Sequence, residues 1–234
     1  MSSLSKLEDN LKIGVLGGIG PASTAEFYAK LISELQMTGF IKNNKDFPQI
    51  VINSIPAPEL VYENITDADL SYYIGGLREL DKFGVDFIVM VCNTIHLFYE
   101  NLQNQIKTPI LDLRKEVERT IKSKGISSVL VLGTPNTIDK GLYDFAGITS
   151  IKPTKNEAKQ LSAAIFNFNN GTEKEEQGKK VIDICNKYLS NGSTTTVILG
   201  CTEFGLMLSN GNFDKINTID VLVKATVERI IRNK

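Results

Sequence analysis

Three cysteines and one histidine bound the chemistry open to this 234-residue chain. Cys92 opens the run Cys92-Asn93-Thr94-Ile95-His96, and Cys201 lies in Gly200-Cys201-Thr202-Glu203. Cys92 directly follows an apolar run, Asp86 to Val91 (DFIVMV), and Cys201 follows another, Thr195 to Leu199 (TTVIL), after one glycine. Continuous apolar runs of this length read as strands buried on both faces of a parallel sheet. Both thiols therefore stand just beyond the carboxyl end of a strand, where a helix begins. Ligands of open α/β sheets bind outside those strand ends. The unpaired N–H groups and partial positive charge of a helix start favour a thiolate over a thiol. Cys185 sits in a helical stretch beside Ile184 without such a setting and reads as inert packing. One histidine excludes a His-rich zinc site, and three cysteines without CxxC spacing form neither a zinc ribbon nor a disulfide framework, so no metal is expected.

Two thiols facing each other across a pseudo-symmetric cleft suit a nearly symmetric reaction. Racemisation takes a proton from one face of an α-carbon and returns one to the other, so one cysteine must be thiolate while its partner is thiol. The carbanionic intermediate places charge on the substrate carboxylate, where backbone N–H groups and hydroxyls stabilise it. Asn93, Thr94, Thr134 and Thr202 are the candidates for that contact. Glu203, directly after Cys201-Thr202, is the stronger functional candidate of the two acids near strand ends, the other being the loop-holding Asp112. His96, four residues after Cys92, either steadies a thiolate or packs at the helix start.

The elements that position these groups begin with Lys12 to Leu16, an apolar run that breaks at Gly17-Gly18-Ile19-Gly20-Pro21 and resumes as an amphipathic helix. Pro21 suits the first helical position. The dinucleotide signature GxGxxG is incomplete here, and the second strand ends in Asn53 where a ribose-binding acid would stand. Gly18, Ile19 and Gly20 are better read as the cradle of a small carboxylate, with Asn53 a further substrate contact. No GxxxxGK[ST] occurs, which disfavours ordinary ATP or GTP chemistry. Further along, helices are expected over 67–83, 95–105, 114–124 and 221–231, and strands over 49–53, 110–111 and 128–132. Two helical stretches are expected within 155–190, the first broken by the polar segment 167–172. Strands alternating with helices give an α/β fold with parallel sheets. KIGVLGGIGP at 12–21 echoes SVLVLGTPNT at 128–137, and DFIVMVCNT at 86–94 echoes TTVILGCTE at 195–203. With 75 residues from Gly17 to Cys92 and 68 from Gly133 to Cys201, two similar half-proteins are expected.

Composition removes other classes. With 26 basic against 27 acidic residues, no global field favours nucleic acid or an anionic membrane surface. The apolar runs are far shorter than a bilayer span. The polar first ten residues lack the apolar segment of a signal peptide, so the cytoplasm is the expected compartment.

The segments Gly17-Gly18-Ile19-Gly20-Pro21 with Thr24, Cys92-Asn93-Thr94-Ile95-His96 and Gly200-Cys201-Thr202-Glu203, in this order, resemble the cofactor-independent aspartate/glutamate racemase superfamily over nearly the whole chain. CNTxH with GCTE is similar to the aspartate racemase branch, since glutamate racemases usually carry histidine where Glu203 stands. The resemblance implies Cys92 and Cys201 as the two bases, no cofactor and so no pyridoxal phosphate, and a homodimer. It also implies two α/β domains related by a pseudo-two-fold axis, 1–107 plus 213–234 and 108–212, with the active site between them and the C-terminal helix returning to the first. Members acting on acidic amino acids are expected to supply a basic residue for the second carboxylate. The loop from Asn53 to Glu59 has no Arg or Lys, and Asn167 to Gly171 (NFNNG) is uncharged, leaving Asn169 and its neighbours or the more distant Lys174. Aspartate is the first expected substrate, with a broader amino-acid racemase or glutamate next. The competing readings are hydantoin racemisation, maleate isomerisation or decarboxylation by similar cysteines, and a non-catalytic module that binds a small carboxylate.

Overall fold

The computed structural model describes residues 11–60 and 65–232. Lys12–Gly17 (β1) turns into Pro21–Met37 (α1), followed by Gln49–Ser54 (β2), Asp67–Phe83 (α2), Phe87–Met90 (β3), Tyr99–Gln103 (α3) and Leu113–Ser123 (α4). The pattern restarts with Ser128–Gly133 (β4), Pro135–Asp139 (α5), Thr149–Ile151 (β5), Lys155–Asn169 (α6) and Lys174–Ser190 (α7). Thr196–Gly200 (β6), Thr202–Met207 (α8), Asp214–Asn217 (β7) and Thr218–Arg232 (α9) complete it.

All strand pairs are parallel, in two sheets of order β2-β1-β3 and β5-β4-β6-β7. A single bridge from Ile110 to Ile88 continues the first sheet at the edge that β7 occupies in the second. The two halves thus share one strand order, in line with the repeat in the sequence. Side chains alternate across each sheet. Ile13, Val15 and Val89 of the first sheet and Val129, Val131 and Ile198 of the second enter one common core with α1, α4 and α9. Leu16, Ile88 and Met90 pack beneath α2, while Leu130, Leu132, Val197 and Leu199 pack beneath α6 and α7. The shared core fixes one sheet against the other, and α9 packs on α1 and α4. No helix among the described residues is long and apolar enough to cross a membrane.

The local structure departs from expectation in several places. Residues after Cys92 form a 3-10 turn, Thr94–Phe98, and the five-residue α3 rather than one helix. The expected strand at 110–111 is only the Ile110 bridge. Helix α6 continues to Asn169, so the first half of the polar segment is helical and only the cap Asn170 and the two residues after it leave the helix. Strands β5 and β7 have no counterpart in the sequence reading; TSI and DKIN are short, and their edge positions demand little apolar character. Strand pairing divides the chain later than 107 and 212, because Ile110 bridges to β3 and Asp214–Asn217 pair with β6. The first ten residues, on which the expected compartment rests, lie outside the described residues.

Candidate active site

The loops at the carboxyl ends of β1, β2, β3, β4 and β6 meet in a cleft of about 200 Å3. Its walls include Gly18, Ile19 and Gly20, Cys92 with Asn93 and Thr94, Thr134, and Cys201 with Thr202 and Glu203. Asn169 and Asn170, at the end of α6, close another side. Residues from both sheets therefore line one space, and both cysteines open onto it.

The glycine turn owes its shape to two positive φ angles, 85° at Gly18 and 87° at Gly20. A Cβ at Gly18 would run into the backbone of Ile55, and one at Gly20 would fall on Glu203 Oε1. Only glycine permits that approach of the first turn to the carboxylate of the second half. Thr24 fastens the turn by accepting from the Gly18 N–H at 3.1 Å.

Glu203 is 4% exposed. The Cys201 thiol donates to its Oε2 at 2.8 Å, and the Thr202 hydroxyl donates to the same oxygen at 3.1 Å. Across the cleft, Asn93 is held on both ends of its amide. Tyr143 OH donates to Asn93 Oδ1, and Asn93 Nδ2 donates to Thr218 Oγ1 at 3.0 Å. Thr218 in turn donates to the Leu199 carbonyl of β6 at 2.9 Å. This buried chain runs from the loop of Cys92 to the strand that ends at Cys201. Thr94 Oγ1 lies 3.0 Å from Thr134 Oγ1 and 3.1 Å from Thr137 Oγ1, a hydroxyl cluster that joins the two halves.

Electrostatics correct one expectation. The backbone N–H groups of Thr94 and Ile95 do face Cys92, as a helix start should arrange, yet burial outweighs them and, with Glu203, pushes the Cys92 thiol up to about 12. Burial, the charge of Glu203 and the hydrogen bond to it hold Cys201 well above the usual thiol range. Both thiols are thus protonated near neutral pH in this state, because desolvating a charge costs more than a few N–H dipoles return.

Other predicted residues are not brought to the cleft. Asn53 pairs in register with Leu16, which packs beneath α2, and so shares that face. Its amide donates to the Gly76 carbonyl at 3.1 Å and to Glu79 Oε2 at 2.7 Å. His96 is fully buried behind the Cys92 loop, stacked on Tyr99, with Nδ1 3.9 Å from Asp112 Oδ1. Burial pushes its pKa down to about 4 against the pull of Asp112, so it is a neutral packing group and no cation for a thiolate. Asp112 caps α4 and holds Arg114 through two contacts, at 2.9 Å and 2.8 Å. Asn167 faces a different groove with Thr154 and Glu157, and Lys174 lies 5.0 Å over the Phe168 ring. Cys185 is buried among Val181, Ile184 and Leu208, in the same core cluster as Cys201, and does not line the cleft. Sequence reasoning missed Tyr143, Thr218 and Thr137, whose partners are remote in the chain, and Glu59, which stands in the cleft wall. Among the described residues no three His, Cys, Asp or Glu side chains are grouped to hold a metal ion.

Comparisons with known proteins agree with this architecture. A broad specificity amino-acid racemase from Bacillus subtilis is 37% identical over 134 residues, 56% of this chain and 58% of that relative, so the chain spans little more than half the relative's length. The structure of Picrophilus torridus aspartate racemase matches with a TM-score of 0.76 at 22% identity, over 94% of each chain. An aspartate racemase homologue from Pyrococcus horikoshii matches with a TM-score of 0.73 at 24% identity, over 94% of this chain and 99% of that one. At those identities the two structures speak for the fold, two α/β domains with parallel sheets. Residues 16–229 match the Asp/Glu/hydantoin racemase family, and with nearly the whole chain covered this protein belongs to that family.

Proposed function

We propose that this protein racemises free α-amino acids, with Cys92 and Cys201 as the proton-transfer groups on opposite faces of the α-carbon. One observation carries the reading: two thiols, from equivalent strand ends of two sheets of the same order, line a single cleft. In one direction Cys201 gives up its proton through Glu203 Oε2 to solvent, Glu203 staying a carboxylate, and the thiolate so formed removes the α-proton. The Cys92 thiol delivers its own proton to the other face. Cys201 ends as thiol and Cys92 as thiolate, and Cys92 regains the one proton that was released to solvent. The turn at Gly18 to Gly20 and the hydroxyls of Thr94, Thr134 and Thr202 face the carboxylate on which the intermediate's charge rests. All steps use side chains of this chain, without pyridoxal phosphate or metal.

The branch motif favours aspartate. Against that, the described residues of the cleft wall include no Lys or Arg, while Asn169 and Asn170 offer uncharged amides. The geometry supports a racemase not specialised for dicarboxylates, in keeping with the name of the Bacillus subtilis relative. By the family resemblance we also assign a cytoplasmic homodimer, which sedimentation and fractionation test. The decisive experiment is turnover in deuterium oxide with chiral chromatography and mass spectrometry. D-product should carry α-deuterium from the first turnovers, and Cys92→Ala or Cys201→Ala should abolish it. D-product that keeps its α-hydrogen excludes deprotonation by either cysteine, and binding without any exchange would leave a carboxylate-binding module.

A further inference from the structure

The wall of the cleft carries a carboxylate that the proton transfers leave unused. Glu59 lies in the loop after β2 and lines the cleft together with Asn169 and Asn170 at the end of α6, and its neighbours fix where it stands. Tyr73 of α2 donates its hydroxyl to the Pro58 carbonyl, the Ala57 N–H donates to the Ile55 carbonyl at 3.0 Å, and Leu60 is 4% exposed in the core beneath α2. The loop is tied down on both sides of Glu59, while the Glu59 side chain stays open to the cleft and solvent.

Charge balance then defines the ligand. A free amino acid brings one carboxylate and one ammonium near its α-carbon. The N–H-rich glycine turn and the threonine hydroxyls suit the carboxylate, and Glu203, beside Cys201, suits the ammonium. One negative charge remains. Glu59 makes no ion pair with any described residue, and its pKa is raised by burial and by the charge of Glu203, with no cation offsetting either. The described residues that line the cleft supply carboxylates and no Lys, Arg or His. Resting on the racemase reading, we infer that Glu59 is a specificity-determining residue that selects amino acids whose side chain ends in a cation, the class of lysine, ornithine and arginine, over acidic ones. Its exposure to solvent as a lining residue suits the reach of a long aliphatic stem, whose methylenes would pass Ile165 and Pro58.

The test compares L-lysine with L-norleucine, the same stem without the charge, and with L-glutamate. Wild-type kcat/KM should favour lysine over norleucine by about tenfold, the effect of one partly exposed charged hydrogen bond. Glu59→Gln should bring that ratio near one, and Glu59→Lys should place glutamate above lysine. Ligand-induced rise in Tm, measured with the same compounds, gives a readout that does not depend on turnover. Racemisation of all three without a lysine preference, or a lysine-to-norleucine ratio untouched by Glu59→Gln, overturns the inference and leaves the racemase reading standing. Glu59-dependent stabilisation by lysine without racemisation of any compound does the reverse.

Discussion

Tyr143→Phe isolates the buried chain that links the two halves. Tyr143 is 1% exposed, and its hydroxyl is the donor to Asn93 Oδ1. The substitution keeps the ring that packs against Gly200 but removes that donor. Asn93 is itself 1% exposed, and its amide nitrogen is committed to Thr218, so it cannot turn over without losing the second bond. A buried acceptor left unpaired costs about 1–3 kcal/mol. At about 2–4 °C per kcal/mol for a chain of this size, Tm should fall by roughly 2–12 °C, visible by calorimetry or circular dichroism. Because Asn93 follows Cys92 directly and faces the cleft, kcat for racemisation should fall more than KM rises. The partner substitution Thr218→Val breaks the same chain one link further, so the double mutant should lose less than the sum of the singles. A Tm within about 1 °C of wild type, together with additive effects, would show that the chain bears no strain or position and would refute the reasoning.

Three further outcomes follow from the same geometry. Buried thiols make stability fall in alkali: Cys92 and Cys185, both pushed up to about 12 by burial, stay protonated in the fold while unfolded thiols ionise near 8.5, so stability is whole below that pH and declines above it. Urea midpoints from pH 8 to 10.5 should show the decline, and Cys185→Ala should flatten it; a slope unchanged by that substitution counts against the assignment. On the acid side His96, neutral in the fold down to about 4, contributes stability that is whole above about 6.5 and is lost as pH falls toward 4, so His96→Phe should remove part of that acid slope in the same assay. Gly20→Ala should cost about 1–2 kcal/mol for the left-handed backbone and, by pushing Glu203 off Cys201, should lower kcat far more than it lowers Tm; normal turnover would show that Glu203 does not hold the Cys201 proton.

What the sequence revealed and what it hid separate along physical lines. Cys92 and Cys201 were legible because an apolar run followed by a turn announces a strand end, and strand ends of parallel sheets collect on one side. The duplication was legible for the same reason, through β1 against β4 and β3 against β6. Asn53 was misjudged because the face a strand residue takes depends on which side α2 packs, a tertiary fact. The hydrogen bond of Tyr143 spans 50 residues and leaves no local signature. Glu59 leaves no mark in the sequence beyond the missing cation of its loop, because which loop side chains line the cleft is set by tertiary packing. The helix-start N–H groups at Cys92 were foreseen correctly, but their effect could not be weighed without the burial that overrides them.

That override bears on how the cleft selects its ligand. Both thiols are held neutral by burial and by Glu203, and the wall adds a second carboxylate at Glu59. In such a field a cation lowers both thiol pKa values and an anion raises them further. Under the proposed mechanism the ammonium of an entering amino acid favours the thiolate that removes its own α-proton, and a thiol in the empty cleft stays poorly nucleophilic. The same field disfavours a substrate with a second carboxylate twice over. Its extra charge is repelled by Glu59 and Glu203, and it opposes the ionisation of Cys92 or Cys201 on which the proposed turnover depends. A side-chain cation does the opposite on both counts. In the proposed reaction substrate choice and thiol activation are thus one electrostatic problem, and a substitution that reverses the charge at Glu59 should act on both.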